Sequence, residues 1–160
     1  MSINLAESDA GHLTIQQVAR RTGLAESALR YYERIGLIDP VPRDESSRHR
    51  RYPPHLVANI ENLSCLRGTG MSVQDMRTYI ANMDRGQAGA TDQHQLFARH
   101  AERLRREIAR LQLRERYVST KADLWAARVS GDAAAEERLI PTAIELGAEL
   151  LKEEVELHHD

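Results

Sequence analysis

One cysteine, Cys65, in 160 residues rules out an intramolecular disulfide. A chain with that cysteine usage is expected in a reducing compartment, the cytoplasm and its nucleoid. Nine glycines and five prolines are too few turn residues for a strand-rich architecture. There is no apolar run of membrane-spanning length, and no basic segment followed by an apolar one opens the chain. Neither a membrane partner nor a signal peptide is expected. Catalytic constellations are missing too: no Ser/His/Asp set, no paired carboxylates, no Gly-rich phosphate loop. An enzyme is therefore not expected. The seven histidines are scattered, and His94 and His100 lie six apart, off the i, i+4 spacing of a helical metal pair. His158 and His159, near the end, read as solvent-exposed bystanders. No metal site and no cofactor are expected.

Aromatic residues are scarce, at seven, yet two stand together in "SALRYYERIG", as Tyr31 and Tyr32 between Arg30 and Arg34. Lysine is scarcer still, at Lys121 and Lys152. The net charge of −2 hides an asymmetry: +3 between residues 14 and 77, −7 between residues 132 and 160. A basic front and an acidic rear suit a polyanion-binding head.

Thr14 and Gln17 have capping-box spacing and open a first helix with Ile15, Val18 and Ala19 on one face. Gly23 stops it. A second helix runs from about Glu26 to Ile35, with Ala28, Leu29, Tyr32 and Ile35 near one face. Two short helices around a Gly-containing turn are a helix-turn-helix signature. "LIDPVPRDESSRHRRYPP" reads as a β-hairpin or wing. Pro54 suits the first turn of a third helix, to about Arg67, with Leu56, Ile60 and Leu63 inward. Ser72 and Asp75 start a fourth, to about Asn82. Neighbouring tyrosines on a helix point about 100° apart. Tyr32 can close the core while Tyr31 reaches a phosphate, its hydroxyl a donor on a stiff ring.

Residues 83 to 91 read as a linker. Beyond them Phe97, Ala101, Leu104, Ile108, Leu111, Glu115, Val118, Ala122, Trp125 and Val129 alternate by 4 and 3. A 3.5-residue period specifies a left-handed coiled-coil seam, and a helix this long wants a partner helix, most simply from a second copy. Gly131 ends it. Residues 133 to 157 are amphipathic, and Pro141 is expected to break them.

"LTIQQVARRTGLAESALRYYERIGLI", "PRDESSRHRRY" and "LRGTGMSVQDMRTYI" together resemble the N-terminal domain of MerR-family transcription regulators, over residues 13 to 82. The resemblance implies a mainly α fold. After a disordered leader (1–12) come a winged helix-turn-helix domain (13–82), the linker (83–91), a long antiparallel coiled-coil dimerisation helix (92–130) and a short helical tail or effector region (131–160). It implies a homodimer on near-palindromic double-stranded promoter DNA, distorting the spacer for RNA polymerase in response to a small-molecule effector or stress signal. By the same resemblance, Thr14, Ser27, Arg30, Tyr31, Tyr32, Arg43, Arg50 and Tyr52 face DNA. Dimerisation falls to Phe97, Ala101, Leu104, Ile108, Leu111, Val118, Ala122 and Trp125. Two positions depart from the family pattern. Ala25 stands where a capping Ser or Thr is frequent, and such a change costs about 1 kcal/mol. Ser47 stands at a wing turn where Gly is frequent.

Soft-metal sensing needs two or three thiolates, and residues 83 to 160 contain none. Mercury, copper(I), zinc and cadmium sensing are set aside on that count, as is an iron–sulfur sensor. Cys65, ahead of "LRGTGMS", resembles the AdhR/NmlR-like branch, linked to aldehydes and other electrophiles. A thiolate there is the sensor candidate. The alternatives are Cys65 as a small buried hydrophobe and a ligand pocket built from Tyr117, Trp125 and residues 140 to 157, for an apolar or cationic drug. An effector-free architectural DNA binder and a protein-interaction module with an acidic docking tail also stay open.

Overall fold

A computed structural model describes residues 11 to 157, in six helices. Most of the leader and the terminal histidine pair lie outside the described residues. The chain forms two compact units, one ending at Phe97 and one beginning at Ala98.

In the first unit, α1 (Ile15–Thr22) begins with the expected capping box. Gln17 N donates to Thr14 Oγ1, and Thr14 N donates to Gln17 Oε1. Gly23 closes α1 in the left-handed conformation, φ 71°, its N–H on the Ala19 carbonyl. Helix α2 (Glu26–Arg34) starts at Ala25 with no side-chain cap. Helix α3 (Pro54–Gly68) carries Pro54 in its first turn, and α4 (Val73–Asp84) starts where Asp75 N donates to Ser72 Oγ. Helical spacing turns Val18, Leu29, Tyr32, Leu56, Ile60, Leu63 and Met76 into one core, each essentially solvent-free. Each such side chain contributes about 1.5–3 kcal/mol on burial.

The wing is thinner than a two-stranded hairpin. Among the described residues there is no strand, only isolated antiparallel bridges joining Leu13 to Tyr52 and Arg43 to Arg50. The tip is held instead by Asp44, whose carboxylate accepts from the backbone N–H groups of Ser46 and Ser47 and from both hydroxyls. These bonds, the Ser47 N–H foremost, hold its pKa well below the ordinary aspartate range. The residue in the left-handed region is Arg48, φ 60°, one place beyond Ser47.

The stretch read as a linker is mostly helical. Helix α4 continues to Asp84, a 3₁₀ turn spans Gly86–Gly89, and α5 (Ala90–Ser130) begins directly after it. Side chains tie this corner together. Asn82 Nδ2 donates to Gln93, Gln93 Nε2 donates to the Tyr79 carbonyl, and Arg85 pairs with Asp92 at 2.6 Å. Gly89 is obligatory there, because a Cβ would overlap the backbone of Asn82.

In the second unit, the rest of α5 and α6 (Ala133–Leu157) form an antiparallel hairpin around Gly131 and Asp132. Asp132 Oδ1 accepts from Ala135 N and caps α6. Arg128 Nε reaches Glu136 at 2.8 Å and Arg110 reaches Glu153 at 3.4 Å, so contacts that advance along α5 retreat along α6. Helix α6 is not broken at Pro141. Pro141 and Glu137 both lie on the exposed side, so the carbonyl that loses its amide partner is open to solvent. On the other side Leu139, Ala143, Leu146 and Leu150 are at least half-buried and hold the helix in place. No helix among the described residues is long and apolar enough to cross a membrane.

Candidate nucleic-acid interface

Helix α2 has two faces of opposite character. Leu29 and Tyr32 are buried in the core. Ser27, Arg30, Tyr31 and Arg34 recur at i, i+3, i+4 and i+7 and are all exposed. Arg30 pairs with Glu26 one turn back, at 3.0 Å. The Arg34 guanidinium lies 5.4 Å from the centre of the Tyr31 ring, which holds ring and charge together on the surface. Tyr31 retains 39% of its accessible area. The stripe thus presents two guanidinium groups and two hydroxyls, the donor types that phosphate oxygens and base edges accept. Arg34 joins it on spacing alone, three residues from Tyr31 and four from Arg30.

Four of the expected DNA-facing residues have other work. Tyr32 is 1% exposed, and its hydroxyl accepts from Arg67 Nη1 at 3.3 Å. It lies a third of a turn from Tyr31, and that rotation puts it inside. Tyr52 is fully buried, bridged through its backbone to Leu13. Burial pushes its phenol above the ordinary range, with the Arg50 charge pulling it back. Its hydroxyl has no hydrogen-bond partner among the described residues. A ring sealed in this way reaches no phosphate. Arg50 Nε donates to Glu33 at 2.7 Å, in a pair whose side chains are only 23% and 18% exposed. The other Glu33 oxygen accepts from Val41 N at 3.1 Å, so one α2 carboxylate fastens both sides of the wing. Thr14 Oγ1 accepts the α1 cap bond from Gln17 N, a structural role that leaves its O–H able to donate. Arg43 remains exposed, one Nη donating to the Arg48 carbonyl. Sequence reasoning missed Glu33: nothing local connects it to Arg50, 17 residues on.

Cys65 is exposed in the single chain and takes no part in the core of the first unit. The guanidinium nearby in sequence, Arg67, donates to the Tyr32 hydroxyl. No group of three or more His, Cys, Asp or Glu suited to a metal occurs among the described residues.

The heptad positions, apart from Trp125 at the edge of the α6 side, lie on a different face of α5 from the one that meets α6. Tyr117, Lys121, Leu124 and Ala127 are buried or half-buried, whereas Ile108, Leu111, Val118 and Trp125 are 53% to 64% exposed. Ala122 is exposed, and Ala101 and Leu104 are half-buried. Phe97 already has a partner in its own unit, edge-on to Tyr79 with ring centres 5.9 Å apart.

Residues 13–83 match the family model described as MerR HTH family regulatory protein. The HTH-type transcriptional regulator AdhR of Bacillus subtilis is 35% identical over 92 residues, which are 58% of this chain and 65% of AdhR, just under two thirds of that relative. The HTH-type transcriptional regulator HmrR of Rhizobium leguminosarum bv. viciae is 32% identical over 102 residues, 62% of this chain and 78% of HmrR. Among solved structures, a MerR family transcriptional regulator from Listeria monocytogenes superposes with a TM-score of 0.63 at 26% identity, covering 83% of this chain and 98% of that one. HiNmlR, a MerR family regulator lacking the sensor domain and solved bound to promoter DNA, gives 0.63 at 24% identity, covering 80% and 95%. This last likeness is one of fold.

Proposed function

The chain belongs to the MerR family of helix-turn-helix transcriptional regulators, and from that membership we propose how it engages its promoter and what it answers to. The observation that carries the reading is the exposed α2 stripe of Ser27, Arg30, Tyr31 and Arg34. It enters the major groove of promoter DNA, with Arg43 of the wing on the flanking backbone. The engagement of promoter DNA by HiNmlR, a protein of the same fold, supports this docking. The α5 seam, from Ala101 through Leu104, Ile108, Leu111 and Val118 to Ala122, pairs with its copy in a homodimer. Two heads then meet the two halves of a near-palindromic site. The dimer bends and untwists the spacer, which sets how RNA polymerase reads it. Its place of action is the cytoplasm, at the nucleoid.

An effector shifts the dimer between two arrangements only through different affinity for each. The exposure of Cys65 supports an electrophile as that signal. Its thiolate would add to an aldehyde carbon, and the carbonyl oxygen would take up a proton to give a thiohemiacetal. In vitro transcription from the upstream region of the protein's own gene tests this, with wild type and Cys65→Ser, with and without formaldehyde. Output that changes with formaldehyde only in the wild type supports Cys65 as the sensor. Equal responses from the two proteins refute it.

A further inference from the structure

We propose that the groove between α5 and α6 binds an amphipathic organic anion, a carboxylate on an aliphatic or aromatic body. This rests on the regulator reading above and names a class of effector for it. The groove holds about 800 Å³, within the range of roughly 300–1,000 Å³ usual for small-molecule sites. Leu124 and Trp125 wall it from α5, and Ile140, Ile144 and Leu151 from α6. Trp125, Ile144 and Leu151 are 54%, 66% and 70% exposed, an apolar patch left uncovered by the described residues. At its base Gly147 faces Tyr117 with no side chain, a Cβ there lying 3.5 Å from the ring.

Charge then selects the ligand. Among the described residues no carboxylate lines the groove, and two cations do, Lys121 and Arg128. Arg128 is already committed, bonded to Glu136 and stacked 4.7 Å from the centre of the Trp125 ring. Lys121 is half-buried and has no ion-pair or hydrogen-bond partner among the described residues. A lipophilic cation would meet the unpaired ammonium of Lys121, and the Glu136 carboxylate is already taken by Arg128. A neutral apolar body would strip water from Lys121 without replacing it. A carboxylate pairs with Lys121 while its tail covers the apolar walls, so one molecule answers both features. Trp125 thereby serves the groove instead of the seam.

Trp125 is the only tryptophan of the chain, so its fluorescence reports on the groove directly. The full-length protein is titrated with decanoate, decanol and decyltrimethylammonium, each below its aggregation concentration. Decanoate is expected to give a saturable change with an affinity about tenfold tighter than the other two, the scale of one charge-assisted hydrogen bond. Lys121→Gln should erase that preference. Ile144→Glu, at an exposed position, should abolish decanoate binding while the protein stays folded by circular dichroism. A cation bound as tightly as decanoate, or a preference unchanged in Lys121→Gln, overturns the proposal. So does the lack of any saturable response, the outcome expected if a second copy of the chain fills the groove. Gel-shift binding to the protein's upstream DNA is measured in parallel. DNA binding without a decanoate response refutes the ligand and leaves the regulator standing. Decanoate binding without DNA binding supports the site and refutes the docking.

Discussion

Tyr31 and Tyr32 are adjacent in sequence and opposite in surroundings, and the third of a turn between them separates a surface role from a core role. Tyr31→Phe removes only an exposed hydroxyl. We expect it to weaken promoter binding with little change in sequence preference and in unfolding midpoint, as read by gel shift across site variants and by thermal melts. Tyr52→Phe reverses the pattern. It deletes a buried hydroxyl that has no partner among the described residues, so DNA affinity should hold and stability should stay level or rise by about 1 kcal/mol. A drop in affinity with Tyr52→Phe would return that ring to the interface. Asp44 makes a pH prediction. Its pKa is held low in the folded wing by the Ser47 and Ser46 donors. A carboxylate whose folded value is depressed lends its stabilisation above the unfolded value, about 3.9, and loses it as pH falls towards the folded one. The Ser46 and Ser47 amide resonances of the folded protein should therefore hold their positions through the ordinary aspartate range, down to about pH 3. A titration of those amides centred near about pH 4 would show that the carboxylate is not held by these donors.

Helix α2 starts without a side-chain cap, as α3 does, but lacks the proline that opens α3. Ala25 has the extended backbone of an N-cap, φ −66° and ψ 147°, and no side chain to cap with. Ala25→Ser supplies the missing acceptor at an exposed site, and chemical denaturation should show a gain of about 1 kcal/mol. No gain would mean that the α2 N–H groups are already satisfied by other means. The wing shows the same economy. One bridge, one aspartate turn and the Glu33–Arg50 pair stand in for a strand ladder. The tip accordingly accepts a left-handed Arg48, a conformation that non-glycine residues adopt at some cost.

For the whole molecule, the decisive feature is that α5 is apolar on two faces. One face meets α6 within the same chain, and the other, through Ile108, Leu111 and Val118, is uncovered. A fragment ending at Phe97 keeps the first compact unit together with the Tyr79–Phe97 and Asn82–Gln93 contacts, and it lacks the seam. Sedimentation should find that fragment monomeric and the full chain dimeric. Leu111→Asp in the full chain should shift it towards monomer without melting α5. A dimeric fragment would place the dimer contact in the head.

Local spacing carried most of the helices, because caps and apolar periodicity act within a few residues. Thr14 with Gln17, Ser72 with Asp75, Gly23, Pro54 and the alternation of α5 could each be read from the chain alone. So could the α2 stripe, since i, i+3, i+4 and i+7 define a face whatever packs behind it. Three things depended on contacts between residues far apart in the chain. Glu33 holds Arg50 and so withdraws it from the surface. Tyr52 disappears into the core because Leu13 pairs with its backbone. Helix α6 passes through Pro141 because α5 supports the apolar side while the proline faces solvent. The groove belongs with these three. Lys121 and Ile144 are 23 positions apart, and only the antiparallel hairpin turns an ordinary lysine and an exposed isoleucine into two parts of one concave surface.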